Sequence, residues 1–137
     1  MRDPMIVAFA KEMLGMSDED IEKVPPEMEQ EYKNAIENMA KYRIVAEVVK
    51  SKYCTAMLEV GQKIVLSGVQ IDKAATDCPL CVGAISQLHS TLSVYLDRCM
   101  KDRDITGPIS GIACTDPGME VGGLGTVLFD VRIEPVA

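Results

Sequence analysis

The chain contains no Trp, two Phe and four Tyr. Large aromatic anchors are therefore scarce, and aliphatic and thioether side chains must fill the interior. No run of Lys and Arg forms a basic stripe, and the formal net charge is −7. Phosphate backbones and anionic membrane surfaces repel such a chain, so neither nucleic acid nor a membrane is expected as a partner. No apolar stretch approaches the ~18 residues that a spanning helix needs. The opening Met1-Arg2-Asp3-Pro4 leads into a short apolar run broken at Lys11 and Glu12. That is too interrupted for a secretory signal, and no small-residue cleavage site follows. The expected location is the cytoplasm, where thiols stay reduced. The five cysteines, an odd number, are accordingly not expected to form a disulfide framework.

What is present suits one folded unit. A chain of 137 residues matches a typical domain. At that length roughly 65–70% of the unfolded surface is buried, enough for a core without staples. Hydrophobic residues at 47% and charged residues at 26% exclude a disordered segment. Nine Met fill irregular gaps in such a core, and at a surface they also suit an adaptable interface.

The first 42 residues read as helices. Met5, Ile6, Phe9, Met13 and Leu14 recur at helical spacing, and Gly15 is a natural stop. Ser17 followed by Asp20 resembles a capping box ahead of Ile21 and Val24. Pro26 suits the first turn of a third helix, over residues 26–42. Met28, Tyr32, Ile36 and Met39 share one face of it, with Glu27, Glu29, Glu31 and Lys33 expected toward water.

The pattern changes at Arg43. Residues 44–49 are rich in β-branched side chains and read as a strand, and Lys63–Leu66 as a second, with residues 69–77 as a loop. Cys78-Pro79 is expected to open one long helix to about Met100, with a stripe at Cys81, Ile85, Leu88, Leu92, Tyr95, Leu96 and Cys99. Lys101–Asp104 is a solvated charge cluster. Ile109–Cys114 reads as a third strand. Val127, Phe129, Val131 and Ile133 alternate with mostly polar residues in a fourth. The predicted fold is α+β: N-terminal helices followed by ββαββ, a four-stranded, mostly antiparallel sheet covered by one long helix. Residues 1–42 form a helical N-terminal arm and residues 43–137 an α+β cysteine-motif domain, together one folded unit.

Chemistry concentrates on sulfur. Cys54, Cys78, Cys81 and Cys114 fall in or beside predicted loops. Cys78-Pro79-Leu80-Cys81 is a C-x-x-C at a predicted helix start, where unpaired N–H groups and the helix dipole stabilise thiolates. If the strand ends carrying Cys54 and Cys114 meet there, four thiolates converge. A structural zinc site usually shows two close ligand pairs, and this chain has one, while iron–sulfur clusters accept scattered cysteines. The plain alternative is that Cys is a favoured buried residue. Cys99, on the stripe, reads as packing.

The single histidine, His89, flanks the helical stripe and is a general-base candidate only where a carboxylate orients it. Asp116 reads as a turn residue bonding its own backbone. Asp77 is placed to cap the helix at Cys78, where its charge opposes thiolate formation unless a metal is bound. Gly122-Gly123-Leu124-Gly125 precedes a strand and lacks the Lys-Ser/Thr of a phosphate loop, so it reads as a hairpin or bulge.

From Tyr42 onward the chain resembles a family of small prokaryotic proteins of unassigned function. The shared pattern is a Cys before a Gly-containing strand start, then Cys-Pro opening a helix, then Cys-x-Asp-Pro near the last strand. Here these are Cys54 with Val60-Gly61-Gln62-Lys63, Cys78-Pro79, and Cys114-Thr115-Asp116-Pro117. The resemblance implies that Cys54, Cys78 and Cys114 belong together, and it supplies no activity.

Three functions follow as expectations. The first is a metal-binding domain, with Cys54, Cys78, Cys81 and Cys114 as ligands to an iron–sulfur cluster or zinc, accessory to a larger enzyme system. The second is a small enzyme using a low-pKa thiol, with Cys78, Cys81 and His89 as catalytic candidates. The third is a non-catalytic assembly or ligand-binding module, a homo-oligomer joined through its helical arm.

Overall fold

A computed structural model describes residues 3–136, and of Ser110 the backbone alone. Three helices come first: α1 (Pro4–Glu12), α2 (Asp18–Glu22) and α3 (Pro26–Lys41). Each starts where the sequence supplies a start. Asp3 caps α1, its carboxylate accepting from the N–H of Met5 at 2.9 Å. Ser17 caps α2 by accepting from Asp20 N–H at 3.1 Å. Pro26 sits in the first turn of α3, where its missing N–H costs no bond.

Strand β1 (Tyr42–Lys52) follows α3 directly, then β2 (Lys63–Ser67), β3 (Gln70–Ile71), helices α4 (Val82–Ile85) and α5 (Leu88–Lys101), and strands β4 (Gly107–Ala113) and β5 (Thr126–Pro135). The strands form one sheet in the order β3-β2-β1-β5-β4, antiparallel throughout. Five strands replace the expected four. The addition is β3, which turns back from β2 through Gly68 at φ +60°.

Alternation divides the sheet into two faces. Ile44, Ala46 and Val48 of β1 lie beside Ile64 and Leu66 of β2 and Phe129, Val131 and Ile133 of β5. This face packs on Ala84, Leu88, Tyr95 and Cys99 to form the main core. Cys99 is fully buried, as its place on the stripe predicts. The Tyr95 hydroxyl donates to Tyr42 O at 2.8 Å, which lets a phenol sit in an apolar interior. The opposite face combines buried Val45 and Val65 with a charged network. Arg132 of β5 bonds Glu47 at 3.2 Å, Asp130 at 3.2 Å and Glu134 at 3.1 Å, and Arg43 reaches Glu134 at 2.9 Å.

Two other expectations are corrected. The long helix over 78–100 is instead two helices, and residues 78–81 lie outside both. A residue before proline is pushed out of the helical region, which removes Cys78. Asp77, the expected cap, accepts the N–H of Lys63 at 2.6 Å and so anchors to β2. The helix is interrupted again after Ile85, where Gln87 N–H donates to Ala84 O and Ser86 Oγ to Gly83 O. In α3, Glu29 does not face water: it is buried, and its Oε1 accepts from Asp3 N–H at 2.6 Å. Buried Asn38 donates to Cys99 O at 3.0 Å and to Asp102 at 2.9 Å, and Asn34 donates to Met100 O at 3.0 Å. These bonds satisfy carbonyls at the C-terminal end of α5, so α3 packs there through its polar face. Among the described residues no helix is long and apolar enough to cross a membrane.

Candidate functional site

The site lies beyond one end of the sheet, where β1, β4 and β5 meet the entry to α4. A bulge between Val48 and Lys50 shifts the register of β1 against β5. Beyond it Lys50 pairs with Leu128 and Lys52 with Thr126. The chain then turns through Tyr53 at φ +55° and Met57 at φ +62°, two non-glycine residues in the left-handed region on either side of Cys54. Such residues persist only where their surroundings hold them, and they concentrate at functional sites. Here Met57 N–H donates to Cys54 O at 3.1 Å, and Ser51 Oγ donates to the carbonyl of buried Leu58 at 2.6 Å.

Cys114 extends the β4–β5 ladder by one step, its N–H donating to Val127 O at 2.9 Å. The loop after it is organised by one carboxylate. Asp116 accepts from Gly118 N–H at 2.9 Å, Leu124 N–H at 2.9 Å and Gly125 N–H at 3.0 Å. Those backbone bonds hold its carboxyl below the usual carboxylate range, against a smaller opposing effect of burial. The turn role expected for Asp116 is what the geometry displays. The glycine run is drawn into this loop, with no anion-binding helix behind it.

Close approach of the backbone completes the site. A Cβ on Gly125 would lie 2.3 Å from the carbonyl oxygens of both Lys52 and Tyr53, so this strand start can touch the loop carrying Cys54 only as glycine. A Cβ on Gly83 would lie 2.7 Å from the Thr115 hydroxyl, so α4 docks closely beside the Cys114 loop. Cys81 occupies the position before α4, its carbonyl accepting from Ala84 and Ile85.

Cys54, Cys81 and Cys114 thereby line one pocket of about 210 Å³, with Thr55, Thr115 and Asp116 as polar neighbours and Leu58, Ala84 and Val127 as apolar ones. All three thiols are half-buried and free. Cys78 does not line this pocket. Its Sγ donates to Lys63 O at 3.7 Å. Burial pushes this thiol up, and the neighbouring Asp77 and Cys81 push it further. That is the opposite of what a nucleophile of lowered pKa requires. His89 is exposed in the first turn of α5 and is not among the pocket residues. Cys99 is buried in the core, and burial raises its pKa.

Among the described residues no three His, Cys, Asp or Glu side chains are close enough to hold one metal ion. The three cysteines share the lining of one cavity. A second cleft, of about 430 Å³, lies on the other side of Gly125 and includes Lys50, Lys52 and Tyr53. Lys52 Nζ there stands 5.2 Å from the centre of the Tyr53 ring. Thr55 and Thr115 escaped the sequence reading, although a signal was present: each follows a loop cysteine, as Cys54-Thr55 and Cys114-Thr115. A scan against family models finds no match to the chain, and searches of curated proteins and of solved structures find no similar protein either.

Proposed function

We propose that the chain is a cysteine-ligated cluster- or metal-binding domain, with Cys54, Cys81 and Cys114 as its principal ligands and Cys78 as the nearest reserve thiol. The observation that carries this reading is the shared pocket: three half-buried thiols, from segments up to sixty residues apart, line about 210 Å³ of space. Cys99 is buried within the main core, whereas Cys54, Cys81 and Cys114 pack at its edge, where the pocket opens.

The sequence spacing favours an iron–sulfur cluster over a single zinc, since a structural zinc site usually shows two close ligand pairs and this chain has one. Zinc binds sulfur at about 2.3 Å, which holds tetrahedral ligand sulfurs within about 4 Å of one another. A cluster is held by four ligands drawn from scattered positions, so Cys78 would have to complete the set of Cys54, Cys81 and Cys114. A bound cluster would supply one-electron transfer, and it would tie three chain segments together, in service of a larger enzyme system.

The test is protein purified without oxygen, assayed for iron, zinc and acid-labile sulfide together with its absorbance spectrum. Stoichiometric iron and sulfide are expected, lost in Cys54→Ser, Cys81→Ser and Cys114→Ser and kept in Cys99→Ser. Protein free of all three, with a colourless spectrum, overturns the proposal.

A further inference from the structure

A second feature of the molecule is independent of the cysteines. Helix α3 turns its polar side, Asn34 and Asn38, toward α5. Its apolar stripe, Tyr32, Ala35, Ile36 and Met39, lies at helical spacing along a groove of about 510 Å³ shared with Phe9 and Leu14. Helix α1 covers only part of that stripe. Ile6, Ala10 and Ile21 close a small core of their own. Leu14 remains 61% exposed and Tyr32 38% exposed on the two walls. Apolar grooves of this shape, with Met in the lining, receive amphipathic helices anchored at positions three and four apart.

Charge decides which helix fits. Residues 1–41 carry ten Asp and Glu against five Lys and Arg, a net −5 out of −7 for the whole chain. Glu12 and Glu22 stand two residues from the lining residues Leu14 and Val24 in sequence, while Asp18 and Glu31 are paired with Lys11 and Lys101. A second copy of the chain would bring the same acidic arm, or a remaining portion that is itself net −2, against an arm of net −5. Like charges across an interface select against a partner, and opposite charges select for it.

We propose that the α1–α3 groove is a docking site for an amphipathic helix of a different protein, with an apolar face flanked by Lys and Arg. The test uses the full chain and two designed peptides with the same leucine stripe, one flanked by Lys and one by Glu, with binding read by fluorescence anisotropy. The Lys-flanked peptide is expected to bind about tenfold or more tightly than the Glu-flanked one at low salt, with the gap narrowing as salt rises. Leu14→Asp and Tyr32→Asp, on opposite walls and both exposed, are each expected to abolish binding while circular dichroism stays unchanged. Cys54→Ser is expected to bind normally, which separates this site from the proposed cluster. Equal affinity for both peptides, or binding of neither, overturns the proposal. A homodimer in sedimentation that Leu14→Asp converts to monomer overturns it as well, since a second copy would then be the occupant.

Discussion

The carboxylate of Asp116 accepts the backbone N–H of Gly125 at 3.0 Å, nine residues further along the chain. This bond closes the loop after Cys114 onto the start of β5, and Gly125 in turn abuts the carbonyl of Tyr53, the residue before Cys54. One acidic side chain thus links the two segments that bring Cys54 and Cys114 to one pocket.

Asp116→Ala removes the acceptor for three backbone N–H groups at once. The expected outcome is loss of hydrogen-exchange protection at Gly118, Leu124 and Gly125, together with faster alkylation of Cys114. Asp116→Asn keeps one acceptor oxygen and is expected to fall between Ala and wild type. Unchanged exchange at all three amides in Asp116→Ala would show that the loop is held by other means.

Gly125→Ala places a methyl 2.3 Å from two carbonyl oxygens, which only backbone movement can relieve. Overpacking of this kind costs about 1–3 kcal/mol. Urea unfolding is expected to show a loss in that range, with labelling of Cys54 accelerated. A variant as stable as wild type would contradict the close approach.

Asn38→Leu replaces a buried donor by an apolar group of similar size. Buried Cys99 O then loses its partner, at a cost of about 1–3 kcal/mol for an unsatisfied buried group, while exposed Asp102 turns to water. If α3 packed on α5 through hydrophobic contact, the same substitution would stabilise the protein. The sign of the change in thermal midpoint separates the two.

Acid should weaken the charged face of the sheet. Burial pushes the Glu134 carboxyl up, but the bonds from Arg43 and Arg132 outweigh it and hold the group below the usual range. A carboxyl depressed in the folded state stabilises fully above its unfolded pKa of about 4.3, and that contribution is lost as pH falls through the lower folded value. Stability is therefore expected to fall below about pH 4, with Glu134→Gln less stable at neutral pH and less sensitive to acid over the same window. Parallel pH profiles for the two proteins would rule the contribution out.

The elements legible in the sequence are those written in local pattern. Ser17 and Pro26 announce helix starts through bonds within one turn, and the alternation of Val127, Phe129, Val131 and Ile133 announces the face of β5. The stripe of Leu88, Tyr95 and Cys99 identifies the buried side of α5. What escaped depends on distant partners. Asp77 could cap a helix as easily as anchor Lys63, and only the fold decides between them. Glu29 and Asn38 look like solvent residues until Asp3 and the end of α5 arrive beside them. The short strand β3 rests on two paired positions, Leu66 with Ile71 and Ser67 with Gln70, too few to leave a periodic signal. The cysteines were visible as candidates, but spacing alone could not show that Cys81 rather than Cys78 faces the pocket with Cys54 and Cys114.

Proximity of thiols carries the functional account, and it can be measured without knowing what binds. The reduced protein is treated with a short thiol-bridging reagent at low stoichiometry, digested, and its bridged peptides identified by mass spectrometry. The account predicts bridges joining Cys54, Cys81 and Cys114 in pairs, with Cys99 unbridged. Bridging confined to Cys78 and Cys81, with Cys54 and Cys114 modified only singly, would contradict it.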